Sequence, residues 1–196
     1  MSRTERREQV RTNLLRATRE LLAEGGAGAV TVRAVAARIG YTLPVVYQHF
    51  ANKDDLLSVV LADGFDTLAA SMRNAADLAE PSESLLAAAR AYLDFAAAEP
   101  RVYELMHGVG AGALDPARRQ QAATAVVGAA RDVVARWAES ANVPDAGAAE
   151  RDDTCWALLH GMATIAAIPE IGATRAWALT ADALHALMEH WVRNSR

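Results

Sequence analysis

Residues 31–57, TVRAVAARIGYTLPVVYQHFANKDDLL, constrain the fold more than any other stretch, because three capped amphipathic segments follow one another within it. Val32, Val35, Ala36 and Ile39 recur at i, i+3, i+4 and i+7, one face of a helix, and Thr31 stands at its N-cap. Gly40 supplies the positive φ needed to leave that helix sharply. Thr42 is placed to cap a second helix, and Pro44 is tolerated in its first turn, where N–H groups lack intrahelical partners. Val46 and Phe50 are four apart and predicted to face inward. Asn52 caps a third helix, whose first turn places Asp54 and Asp55 at the positive end of the dipole. Two short helices joined by a glycine turn make a helix-turn-helix.

With Val46 and Phe50 inward, Leu43, Pro44, Val45, Tyr47, Gln48 and His49 are left outside. That face carries three apolar groups and no formal charge, an odd surface to show to water. It suits a DNA major groove, where apolar groups meet thymine methyls, Gln48 meets a base edge, and Tyr47 and His49 reach phosphate oxygens. It also suits a helix packed inside a bundle.

The segment resembles the DNA-binding domain of the TetR family of bacterial repressors. A Thr precedes the first helix, Ile-Gly makes the turn, and PVVYQHFANKDDLL follows a Tyr-x-His/Tyr-Phe-x-x-Lys-x-x-Leu-Leu pattern, all within the first 60 residues. The resemblance implies phosphate contacts from Thr31, Thr42, Tyr47, His49 and Lys53, and base-edge contacts from Arg33, Leu43, Pro44, Val45 and Gln48. Tyr41 departs from the small aliphatic residue common after the turn glycine, and Leu43 and Val45 cannot hydrogen-bond through their side chains. Arg33 is then the strong guanine reader, with thymine methyls and DNA shape carrying more of the specificity. A second, shorter resemblance lies in DDTCWALLHGMATIAAI, whose Trp156, His160 and Gly161 are similar to the Trp-x-x-x-His-Gly pattern of one TetR subgroup.

The formal charge of −4 over 196 residues argues against nucleic acid until the chain is divided. Residues 1–53 hold nine Arg/Lys and four Glu, a net of +5, which leaves −9 on the remainder. A basic head on an acidic body is expected where only one part faces phosphate. The arginines before position 20 also fit a solvated helix, and residues 1–8 a frayed end or a loose arm near the DNA backbone.

At 52% hydrophobic, and rich in alanine, the chain reads as helical and ordered. The expected architecture is all-α, with about nine helices: a three-helix head over 1–57 and a helical ligand-binding and dimerisation body over 58–196. The polar, Arg-rich start lacks the apolar core of a leader, no apolar run is long enough for a bilayer, and Cys155 has no cysteine to pair with. A cytoplasmic protein without membrane contact is the expectation.

An apolar stripe from Val10 to Leu22 predicts a first helix over about Glu8–Glu24, stopped by Gly25, Gly26 and Gly28. The third motif helix keeps its period to Met72, so one long helix belongs to both halves. Further helices are predicted from Pro81, over Arg101–His107, from Asp115-Pro116 to about Ala141, over Ala149–Ile168 and over Thr174–Arg193, with Gly108, Gly110 and Gly112 as a flexible connection. The last two helices carry broad apolar faces suited to an isologous four-helix bundle, so a homodimer is expected.

No nucleophile elbow, His-Glu-x-x-His or cysteine pair is present, and His185 and His190 are five apart, off one helical face. No catalytic site, metal or cofactor is expected. His160, one turn after Trp156, needs a hydrogen-bond partner if buried, and a bound ligand is one candidate. Tyr92, Phe95, Tyr103, Met106 and His107 are candidates for the same cavity or for plain core. The reading is a dimeric regulator of a pseudo-palindromic duplex operator, a repressor released by a small, largely apolar effector. A DNA-binding dimer without an effector, or a small helical enzyme, are the rivals.

Overall fold

A computed structural model of the chain describes residues 2–108 and 114–195, with ten α-helices and no strand among them. They are α1 (Arg3–Ala29), α2 (Val32–Arg38), α3 (Leu43–Tyr47), α4 (Lys53–Leu78), α5 (Ser84–Ala98), α6 (Pro100–Met106), α7 (Pro116–Ala122), α8 (Thr124–Ser140), α9 (Ala148–Ala166) and α10 (Gly172–Arg193). Two compact units result: Met1–Phe65 with Glu99–Ala123, and Asp66–Ala98 with Thr124–Arg196. Helix α4 contributes to both, Phe65 and Asp66 falling in different units.

In the first unit α1 packs on α2 and α6. The helix begins at Arg3, five residues before the predicted start, which corrects the reading of residues 3–8 as frayed. Ser2 is the reason. Its Oγ accepts the Glu5 N–H at 3.1 Å and its own N–H donates to Glu5 Oε2 at 2.7 Å, a reciprocal capping box. Gly25 and Gly26 break the helical path, Gly26 at φ 67°, so the predicted stop holds although a last helical turn follows. Asn52 and Asp55 cap α4: Asn52 Oδ1 accepts the Asp55 N–H at 2.9 Å, and Asp55 Oδ2 accepts the Ala51 N–H at 3.0 Å. Arg118 of α7 reaches the other Asp55 oxygen at 3.2 Å.

In the second unit α5 packs against α8, α9 and α10, and α9 lies against α10. Buried Arg151 closes the α8–α9 loop by donating to the carbonyls of Ala146 at 3.0 Å and Pro144 at 2.9 Å. Trp137 and Trp191 pack with ring centroids 5.7 Å apart.

The predicted helix from Pro116 to Ala141 is two helices, interrupted at Ala123. The Ala123 N–H bonds back to the carbonyls of Arg119 and Gln121, a tightened turn that ends α7. Alanine is the best helix former, so nothing local announces this break. Helix α10 opens at Gly172, φ 66°, two residues before the predicted start at Thr174. The connection predicted at Gly110 and Gly112 lies outside the described residues.

Candidate nucleic-acid interface

The interface is built on two fully buried anchors. Val46 is 0% exposed and Phe50 4%, each contributing about 1.5–3 kcal/mol by leaving water. They press α3 onto the head and orient its other residues outward. Tyr47 is 56% exposed, Pro44 and Gln48 are exposed, and Leu43, Val45 and His49 are half-buried. The uncharged face predicted from spacing therefore lies open on the surface of this unit.

The turn before α3 is tight. Gly40 has φ 68°, its N–H donates to the Ala37 carbonyl at 3.3 Å, and the Tyr41 N–H donates to the Ala36 carbonyl at 2.9 Å. Those bonds satisfy carbonyls at the end of α2 and turn the chain into α3. Thr31 Oγ1 accepts the Ala34 N–H at 3.0 Å, the predicted cap of α2. Thr42 occupies the N-cap of α3, but its hydroxyl makes no capping bond. A side chain that is not closing its own helix end keeps its hydrogen-bonding capacity for a partner.

Charge around this face is unevenly neutralised. Arg16 pairs with Glu20, Arg19 with Asp63, and Arg38 with Glu24 and Glu20. Arg3, Arg6, Arg7, Arg11 and Arg33 have no ion pair among the described residues. Arg11 instead lies over the Phe50 ring, 5.6 Å from its centroid. Burial pushes His49 below the ordinary imidazole value of 6.5, and Arg7 and Arg11 push it further, against the pull of Glu8. His49 is thus neutral at neutral pH, an N–H donor that brings no charge. Lys53 is half-buried, its ammonium donating to the Ala27 carbonyl at 3.5 Å.

The candidates for a ligand cavity fall in both units. Tyr103, Met106 and half-buried His107 lie in and just after α6, with the Tyr103 and His107 rings 4.3 Å apart. Tyr92 and Phe95 are buried on α5. On α9, Trp156 is 55% exposed and stacks parallel on half-buried His160 at 5.4 Å, so this pair stands toward the surface of its unit. No group of three or more His, Cys, Asp or Glu residues able to hold a metal occurs among the described residues. None of the described helices is long and apolar enough to cross a membrane.

Residues 14–60 match the model for bacterial regulatory proteins of the tetR family, and residues 85–172 match the tetracyclin repressor-like C-terminal domain. The chain belongs to the TetR family. An HTH-type transcriptional regulator of Mycobacterium tuberculosis is 32% identical to this TetR-family chain over 138 residues, 68% of this chain and 59% of that relative. The transcriptional activator FasR of Mycolicibacterium smegmatis is 33% identical over 101 residues, 51% of this chain and 46% of FasR. This TetR-family chain therefore matches only about half the length of those two relatives. The fold of FadR from Bacillus subtilis, crystallised with stearoyl-CoA, superposes with a TM-score of 0.71 at 14% identity, covering 92% of this chain and 97% of FadR.

Residues 1–8 are expected as a frayed end or a loose arm near the DNA backbone, and the resemblance assigns no individual contact to Arg3, Arg6, Arg7 or Arg11. Their spacing of three and four residues was the available signal, since it puts all of them on one helical face.

Proposed function

We propose that this TetR-family chain is a DNA-binding transcriptional regulator whose head, residues 1–57, reads duplex DNA through α3. The single observation that carries the reading is the open, uncharged face of α3 over buried Val46 and Phe50. In this reading Thr31, Thr42, Tyr47, His49 and Lys53 set register on phosphates, while Arg33, Leu43, Pro44, Val45 and Gln48 meet base edges. The similar Mycobacterium tuberculosis regulator supports this assignment.

The body, residues 58–196, dimerises through α9 and α10. Trp156 on α9, Leu179 on α10 and Ile168 in the connection between them are each more than 40% exposed, an expensive arrangement unless a second copy covers them. Two heads would read successive major grooves about 34–36 Å apart, giving a pseudo-palindromic site. The dimer works in the cytoplasm as a repressor and leaves its operator when a largely apolar small molecule binds the body. Stearoyl-CoA on FadR supports an apolar effector, whereas FasR is an activator, so the direction of control needs its own measurement. A second reading, a dimer without an effector, is favoured by the burial of Tyr92, Phe95, Tyr103 and Met106 to 8% exposure or less, as in ordinary core.

Selection of preferred duplexes from random DNA tests the assignment. A two-fold symmetric site should emerge, and Gln48→Ala should relax its specificity by about 1–3 kcal/mol. No enrichment, or the same preference after Gln48→Ala, rejects it. Acyl-CoA and other apolar molecules should raise Tm and weaken binding to that duplex; a raised Tm with unchanged affinity rejects the allosteric part.

A further inference from the structure

The unpaired arginines of α1 are not scattered. Arg3, Arg7 and Arg11 follow each other at intervals of four residues, and Arg6 lies beside them, so they form a stripe about 12 Å long at 1.5 Å per residue. This stripe borders an open cleft of about 690 Å³ whose first wall is Arg3, Arg6 and Arg7 and whose second is Val45, Gln48 and His49 of the α3 segment. The two walls differ in kind. The α3 wall has no formal charge at neutral pH, while the α1 wall carries three guanidinium groups without a carboxylate partner among the described residues. Acids do occur nearby, but Glu5 is engaged with the Ser2 N–H at the helix start and Glu8 makes no ion pair among the described residues.

Arg16, Arg19 and Arg38 of the same unit are each neutralised by a carboxylate, whereas, among the described residues, Arg33, like the stripe, is not. Leaving three together beside the reading helix is unfavourable in the free protein, since like charges in one cleft repel. An anionic partner removes that repulsion. The cleft is open, so it takes a chain passing through rather than an enclosed small molecule, and duplex DNA presents a phosphate every 3.4 Å of axis on each strand.

We infer that the first two turns of α1 form a second DNA-contact site, in which Arg3, Arg6 and Arg7 clamp the phosphate backbone flanking the groove entered by α3. This rests on the assignment of α3 as the DNA-reading helix. The clamp reads no bases. It adds sequence-independent affinity and fixes the angle at which α3 enters, with Arg11 held back over Phe50 as part of the support.

The test compares the full chain with R3Q/R6Q/R7Q, with Gln48→Ala, and with Arg16→Gln as a control for an arginine already paired. Binding is measured against salt concentration on a duplex of about 30 base pairs of mixed sequence and on the preferred duplex taken from random DNA. The triple variant should retain the wild-type Tm, lose about tenfold or more in affinity for both duplexes, and flatten the salt dependence by about two to three in log–log slope per head. Arg16→Gln should leave the slope unchanged, and Gln48→Ala should affect only the preferred duplex. A triple variant with the wild-type slope, or one weakened only on the preferred duplex, overturns the clamp while the α3 assignment stands on the Gln48→Ala result. A wild-type chain that binds neither duplex overturns both.

Discussion

Arg38 holds Glu24 through both of its outer guanidinium nitrogens, at 2.8 and 2.6 Å, and so ties the end of α2 to the last full turn of α1 before the glycine break. The two residues are 14 apart in sequence, and the chain between them makes two changes of direction. The fork geometry matters because a bidentate pair sets an angle as well as a distance. That angle is the one at which the helix-turn-helix meets its supporting helix.

Glu24→Gln removes one partner of this pair while keeping its shape. Arg38 hydrogen bonds hold the Glu24 carboxyl below its ordinary value of 4.5. A lowered folded pKa means that the stabilisation is fully present above that ordinary value and disappears as pH falls through the lower folded one. The expected result is a small fall in Tm at neutral pH and low salt, which shrinks at high salt and vanishes in acid. Thermal melts across pH and salt check this; a difference that persists in acid contradicts it.

Thr31 has two assignments that one substitution cannot separate. Its side chain caps α2 through the Ala34 N–H and is proposed to contact phosphate. Thr31→Ala should cost about 1 kcal/mol of stability through the lost cap. Thr31→Asp keeps a capping oxygen and adds a negative charge, so stability should be retained while DNA affinity falls at least as far as in the alanine variant. Chemical denaturation beside DNA titration reads both; undiminished DNA binding by Thr31→Asp would exclude the phosphate role.

Gly64 is buried in α4 where α6 crosses it. A Cβ at this position would stand 2.6 Å from Val102 Cγ1 and 3.0 Å from Met106 Sδ. Gly64→Ala should therefore destabilise the chain by about 1–3 kcal/mol, despite the better helix propensity of alanine. Val102→Ala in the same chain should recover part of the loss by making room, a coupling that a double-mutant cycle in urea measures directly. Simple additivity of the two changes would show that the close approach is not the cause.

Cys155 is buried on α9, and its thiol is pushed up to about 12 by desolvation first and by the Asp152 charge second. Only the thiolate is nucleophilic, so the folded chain should be inert to alkylating and disulfide-exchange reagents at neutral pH. One equivalent should react rapidly in denaturant. Fast labelling of the native protein, with circular dichroism unchanged, would contradict the burial.

Local chemistry already determined the head in the sequence. Thr31, Gly40, Pro44 and Asn52 are residues whose caps, turns and missing donors act within a few positions, and Val46 and Phe50 declare the inward face by spacing alone. The outward set on α3 follows by subtraction, which is why the open face is legible in the sequence. Other features depended on groups distant along the chain. The break at Ala123 contradicts the local propensity of its own residue, and the crossing at Gly64 involves side chains nearly forty positions away. Whether an arginine is neutralised by Glu24 or Asp63, or left bare beside His49, is likewise decided in space. Periodicity specifies which side of a helix is apolar, because that property is carried by the helix itself. Charge balance and close packing belong to pairs, and only the folded chain determines the pairs.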